Sequence, residues 1–227
     1  MCNRFKQSKR AGEVAEHFQA WDEIEDTPRY NVAPTDKILV VRQQSGKRRI
    51  GSMRWGLIPK FATAIGKSYL IARSEDITRT PAFRDLVKSN RCLIPADAFY
   101  EWRAMGGIRQ PYAFELKSKD LFAIAGLFDT WQGPTQTVES CVILTIEPNS
   151  LVADIHERMP VIVHKRDYDL WLNSEDVKAA LQVLKPFDEN LMQRYPVSRD
   201  LNNPKNDNPQ SAAEITLEAQ IQGTLFE

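Results

Sequence analysis

Residues 112–146 read YAFELKSKDLFAIAGLFDTWQGPTQTVESCVILTI, and this stretch decides the class of fold. Three apolar runs, Tyr112–Leu116, Leu121–Thr130 and Val138–Ile146, are each bounded by polar or turn-forming residues. Their content of Phe, Tyr, Val and Ile predicts consecutive antiparallel strands. Working outward, Lys37–Arg42 and Arg48–Trp55 flank a Ser45-Gly46 turn and predict a hairpin, which Trp55-Gly56-Leu57-Ile58-Pro59 brings to an end. Cys92–Trp102 predicts a strand that Pro95 places at an edge or a strand start. Val161–Val163 predicts one more short strand, whereas Arg29–Thr35 has no strand or helix period and reads as loop.

Helical signals are few and short. Ala11, Val14, Ala15 and Phe18 repeat at helical spacing behind a possible Ser8 cap. Thr80-Pro81 opens a short helix carrying Phe83, Leu86 and Val87, and two more are expected over Arg166–Leu172 and, capped by Ser174, Glu175–Leu184. Mixed short strands with few helices imply an α+β fold, with a strongly bent, barrel-like antiparallel or mixed sheet flanked by short helices. No repeat and no Gly-, Pro- or Ser-rich linker divides the chain. It reads as one domain, residues 1–227, with a loosely ordered tail from about residue 207.

With 42% hydrophobic and 26% charged residues and no apolar run of membrane length, the chain reads as globular, with no membrane association. Lys6, Lys9, Arg10 and Glu13 interrupt any apolar leader, and three widely spaced cysteines fit reduced thiols, so a cytoplasmic location is expected. Cys92 and Cys141 read as packing residues inside apolar strands. No Cys/His pair has metal-ligand spacing, so neither a metal nor another cofactor is expected. Without heptads or a long exposed apolar pattern, the expected state is a monomer.

A formal net charge of zero argues at first against nucleic acid. The distribution reverses that argument, because residues 1–110 carry 20 basic and 12 acidic side chains, and residues 111–227 carry 10 and 18. Arg42, Arg48, Arg49, Arg54, Arg73, Arg84, Arg91 and Arg103 are candidates for a basic face.

The chemistry begins at Met1-Cys2-Asn3-Arg4-Phe5. Removal of Met1 would leave Cys2 with an α-amine and a thiol on adjacent carbons. Such a 1,2-aminothiol condenses with an aldehyde to an imine and closes through sulfur to a thiazolidine. Both groups titrate near pH ~8, so a modest push makes each nucleophilic. Glu101, in the apolar stretch Ala98-Phe99-Tyr100-Glu101-Trp102, sits either on the solvent side of a strand or in a partly desolvated cleft suited to acid/base work. His156 is either a structural residue or a proton carrier. Trp102 packs the core or stacks on a base, and Arg4 and Arg73 are surface cations or phosphate clamps.

Six ordered blocks weigh these alternatives together: Met1-Cys2-x-Arg4-Phe5, Arg29-Tyr30-Asn31-Val32-Ala33-Pro34, Trp55-Gly56-Leu57-Ile58-Pro59, Ala72-Arg73-x-Glu75, Arg91–Ala96 with Phe99-Tyr100-Glu101-Trp102, and Asp154-Ile155-His156-x-Arg158-Met159-Pro160. The set, with Pro196-Val197-Ser198 beyond it, resembles the SOS response-associated peptidase (SRAP) family. That resemblance implies recognition of abasic sites in single-stranded DNA and a thiazolidine between the mature N-terminal cysteine and the ring-opened sugar, shielding the lesion. Carried over, Cys2 is the nucleophile, Glu101 orients or deprotonates its amine, and His156 is the acid/base on the sugar oxygen. Arg4 and Arg73 resemble phosphate contacts, Trp102 a stacking residue, and Asn31 and Pro34 further parts of the DNA-binding set. The protein would be cytoplasmic and associate with the nucleoid during DNA damage.

The pattern departs from the family at two places. Asn3 stands where glycine is usual, and Ile71 replaces the asparagine of an Asn-Ala-Arg triplet. Two rival functions remain: a peptidase using Cys2 with Glu101 and His156, including self-removal of Met1, and a non-catalytic single-strand binding module. Lyase or hydrolase activity would accompany the first two readings.

Overall fold

The computed structural model describes residues 3–21, 27–66 and 68–217; Met1 and Cys2 lie outside the described residues. Thirteen strands and five short helices are present among them. In chain order the first elements are β1 (Phe5–Gln7), α1 (Ala11–Phe18), β2 (Arg29–Val32), β3 (Lys37–Gln44), β4 (Lys47–Trp55), β5 (Ile71–Arg73) and α2 (Leu86–Ser89). The long strands follow: β6 (Arg91–Ala96), β7 (Ala98–Met105), β8 (Ile108–Leu116), β9 (Phe122–Gln132) and β10 (Thr137–Ile146). The chain finishes with α3 (Ser150–Ala153), β11 (Met159–Pro160), β12 (Ile162–Val163), α4 (Tyr168–Asn173), α5 (Val177–Leu181) and β13 (Met192–Pro196).

The expected bent sheet is a closed ring. β10 pairs with β4, β4 with β3, β3 with β6, β6 with β9, and β9 returns to β10. The β4–β10 pairing is parallel and the other four are antiparallel, so the five-stranded barrel is mixed. Ring closure leaves little interior space. A Cβ at Gly126 would lie 2.9 Å from Ile94 Cδ1 and 3.0 Å from both Cys92 Sγ and the Val142 carbonyl, so only glycine fits there. Cys92 and Cys141 are buried free thiols, and burial pushes Cys141 up to about 12. That suits packing and removes nucleophilic character.

A second sheet, in the order β13-β8-β7-β1-β2, lies beside the barrel. Phe5, Phe99 and Phe114 belong to the main core shared with the barrel, whereas Ala98, Tyr100, Ala113, Val197, Leu201 and Ala212 form a smaller cluster. Side chains alternate along β7, so Phe99 and Glu101 share one face and Tyr100 and Trp102 the other. The second face is covered by the 197–214 segment, with Val197 bridged to Glu214.

Several expectations need correction. β2 is a strand because Val32 and Arg29 pair with Phe5 and Gln7 across β1, a non-local contact with no local period. Ser8 does not cap α1; its amide and hydroxyl both donate to Asp97, at 2.7 and 2.6 Å, and Glu13 Oε2 accepts from the Arg10 amide instead. Residues 74–85 are turns and bends, and only Leu86–Ser89 is helical, although Phe83, Leu86 and Val87 are buried. The last helix is shorter than expected and is capped by Asp176, not Ser174. Pro95 lies in a central strand, but β3 pairs only with Cys92 and Leu93, and the Pro95 carbonyl accepts from Gln7 Nε2 at 2.8 Å. The strand is locally an edge there. The tail expected to loosen at residue 207 is held further: Asp207 accepts from the Tyr30 and Asn31 amides and from Arg29, and Ser211 and Ala212 are buried. No helix among the described residues is long and apolar enough to cross a membrane.

Candidate active site

One cleft, of about 330 Å³, opens where the second sheet meets the segment between α3 and β11. Asn3 and Arg4 enter it from the run into β1, Glu101 and Trp102 from β7, Arg109 from β8, His156 from the α3–β11 connection, and Asn202 from the covering segment. The sequence leaves two places for Glu101, and burial selects the desolvated one, since only 2% of the residue is exposed. Its Oε1 is 3.9 Å from His156 Nδ1.

His156 is fixed from both directions along the chain. Asn149 caps α3 through Oδ1 to the Val152 amide and ties it to the Phe187 carbonyl through Nδ2. The His156 amide then donates to the Val152 carbonyl at 3.0 Å. On the other side, Nδ1 lies 3.0 Å from the Arg158 amide and 3.1 Å from its carbonyl. A neutral ring accepts from the amide and carries its proton on Nε2; a protonated ring donates to the carbonyl. Arg158 itself is anchored by a bidentate pair with Glu75, at 2.7 and 2.9 Å, and by the Thr145 carbonyl at 2.6 Å. The Arg158 hydrogen bonds hold the Glu75 carboxyl down to about 2.

Arg4 is half-buried, and burial lowers its affinity for its proton. It donates to Asn31 Oδ1 at 2.8 Å and to the Leu201 carbonyl at 3.1 Å, and its guanidinium carbon is 5.9 Å from the Trp102 ring centre. Asn31 does not face the cleft as a contact surface. It is fully buried, and its amide nitrogen donates to the carbonyls of Leu201, Asn203 and Asn206, so it acts on the site through Arg4 and this loop. Pro34 is half-buried in the β2–β3 connection and is not a lining residue. Arg73 is exposed at the end of β5, outside the cleft, and Ile71 is half-buried on the same strand. Cys2, the expected nucleophile, lies outside the described residues and is one peptide bond from Asn3.

A family model described as SOS response associated peptidase (SRAP) matches residues 1–204. The chain belongs to the SRAP family. Among curated SRAP relatives, the abasic site processing protein YoqW of Bacillus subtilis is 40% identical over 219 residues, covering 92% of this chain and 98% of its own. The abasic site processing protein HMCES of Xenopus tropicalis is 29% identical over 245 residues, covering 92% of this chain and 72% of its own. A crystal structure of a Bacteroides thetaiotaomicron protein superposes with a TM-score of 0.87 at 25% identity, over 95% of this chain and 100% of that one. The SRAP blocks that are scattered in sequence meet in this cleft: the first, the fifth and the sixth supply Arg4, Glu101, Trp102 and His156.

Arg109 and Asn202 were not anticipated as site residues. The signal for Arg109 is Gly106-Gly107, whose positive φ values of 56° and 86° make the tight β7–β8 turn and set its register. Asn202 carries no local signal, because it reaches the site only through the folding back of the covering segment.

Proposed function

We propose that this SRAP protein senses abasic sites in single-stranded DNA and joins itself to them covalently through Cys2 once Met1 has been removed. The observation that carries this reading is the approach of Glu101 to His156 in a cleft also lined by Asn3, the neighbour of Cys2, with Arg4 and Trp102 beside them. The names of the curated relatives support it.

The ring-opened deoxyribose offers an aldehyde. Glu101 takes a proton from the Cys2 ammonium, and the freed amine attacks the aldehyde carbon. Loss of one water gives the imine. The thiolate then adds to the imine carbon and the nitrogen takes up a proton, closing a five-membered ring with one new C–N and one new C–S bond. His156 shuttles the proton at the sugar ring oxygen, which opening requires. Arg4, positioned by Asn31, takes a phosphate, and Trp102 stacks on a base that must be unpaired to reach it. Arg73 and Pro34 lie outside the cleft and would meet strand beyond it. The protein acts as a monomer, in the cytoplasm and on the nucleoid during DNA damage.

Denaturing electrophoresis of the purified protein with a single-stranded oligonucleotide bearing one abasic site tests this, with intact mass alongside. The expected product has the summed mass less one water, comes from protein lacking Met1, and is absent for Cys2→Ser. Glu101→Gln and His156→Ala should slow it by roughly 10²-fold or more. A Met1-free protein that forms no adduct while still binding the strand would sink the reading and leave the binding module. Peptide cleavage that survives a blocked Cys2 amine would favour the peptidase.

A further inference from the structure

The cleft holds a cation that none of the anticipated residues accounts for. The β7–β8 register pairs Trp102 with Pro111 and Ala104 with Arg109, so Arg109 lies diagonal to Trp102 on the same face of the sheet. Its guanidinium carbon is 5.9 Å from the indole centre. Arg4 is equally distant, but Asn31 and the Leu201 carbonyl hold its Nη1 in a half-buried position, so it serves its own phosphate and not a second one. The Arg109 side chain is exposed and makes no hydrogen bond or ion pair among the described residues. Trp102 is also held at its edge: Nε1 donates to Asn202 Oδ1 at 2.6 Å, and Asn202 Nδ2 donates to the Arg109 carbonyl at 3.2 Å.

An indole locked at its nitrogen presents a fixed plane, and an exposed guanidinium beside that plane loses little hydration on meeting an anion. Resting on the function proposed above, we infer that Arg109 is a further nucleic-acid-binding residue, taking the phosphate next to the base stacked on Trp102, and that Asn202 is the positioning residue that holds the indole for that base.

The test uses the full chain in two assays: anisotropy of a labelled, undamaged single strand across a salt series, and adduct formation on an abasic strand at varied DNA concentration. Arg109→Ala should weaken binding by about fivefold or more and flatten the plot of log affinity against log salt by about 0.7, the loss of one phosphate contact on a single strand. Its adduct formation should need correspondingly more DNA for half-maximal rate. Arg109→Lys should keep the wild-type salt slope while recovering only part of the affinity. Asn202→Ala should weaken binding with the slope unchanged, the mark of lost stacking geometry. An Arg109→Ala protein with wild-type slope and affinity overturns the inference, and thermal melting checks that this exposed substitution leaves the fold intact. If strand binding depends on Arg109 but the wild type forms no adduct, the assignment stands and the abasic reading falls. The reverse pattern removes Arg109 alone. A wild type that binds no single strand removes both.

Discussion

Glu75 shares a sequence block with Arg73, yet its two oxygens face Arg158, whose backbone lies against His156 Nδ1. The pair therefore stiffens the connection that carries the candidate acid/base. Because the folded-state value of Glu75 is depressed to about 2, its contribution to stability is present above the ordinary carboxylate range and is lost as pH falls towards about 2. The Glu75 side chain is 45% exposed, so solvent screening limits the pair to about 1 kcal/mol or less. Glu75→Gln should lower the melting temperature at pH 7 by roughly 2–4 °C. The gap to wild type should close between about pH 4.5 and about pH 2. A gap that persists at the acid end would assign the loss to packing rather than to the charge. Residue chemistry of this kind was partly legible in sequence. An acid inside Phe99-Tyr100-Glu101-Trp102 signals a special environment, whereas nothing local says that Glu75 would find Arg158.

The elements that were legible are those whose pattern is local: the β3–β4 hairpin around Ser45-Gly46 and the three strands β8, β9 and β10. β1 and β2 were not, because three- and four-residue strands exist only through their partners. Asn31 marks the same limit. On sequence it reads as a loop residue and, by the resemblance, as part of the DNA-binding set; in the fold it is fully buried and collects three carbonyls of the 201–206 loop as well as Arg4. Asn31→Ala would leave the buried Leu201 carbonyl and the part-buried Asn203 and Asn206 carbonyls without this donor, and Arg4 without its side-chain acceptor, at a cost on the order of 1–3 kcal/mol. The loss should be local before it is global. Hydrogen exchange is expected to speed up first over residues 200–208, and binding of a single strand should weaken as Arg4 loses its anchor. Uniformly faster exchange with an unaltered 200–208 segment would show that the clamp does not act as described.

On the scale of the whole molecule, barrel and second sheet are interleaved along one chain: β1 and β2 precede the ring strands, β6 passes into β7 of the second sheet through a single residue, Asp97, and β9 returns to the ring. Composition and short strands were enough to read an α+β fold with a bent sheet. Division into a closed ring and a separate sheet was beyond them, because it depends on the parallel β4–β10 pairing and on β1 docking against β7. Asp97 fastens that docking. Buried to 7% exposure, it accepts from the Ser8 amide and hydroxyl and lies 3.0 Å from Lys6 Nζ, so the middle of β1 and the residue that follows the strand converge on one carboxylate. Asp97→Ala leaves a half-buried amide and a mostly buried ammonium without their acceptor, a loss of about 2–3 kcal/mol. In a chain of this size that amounts to roughly 5–10 °C in melting temperature. Asn3 and Arg4 precede β1 directly, so the same change should slow adduct formation at temperatures where both proteins are fully folded. A destabilised Asp97→Ala protein that still forms the adduct at the wild-type rate would mean that the cleft is held by Asn31 and the covering segment, independently of the joint between the sheets.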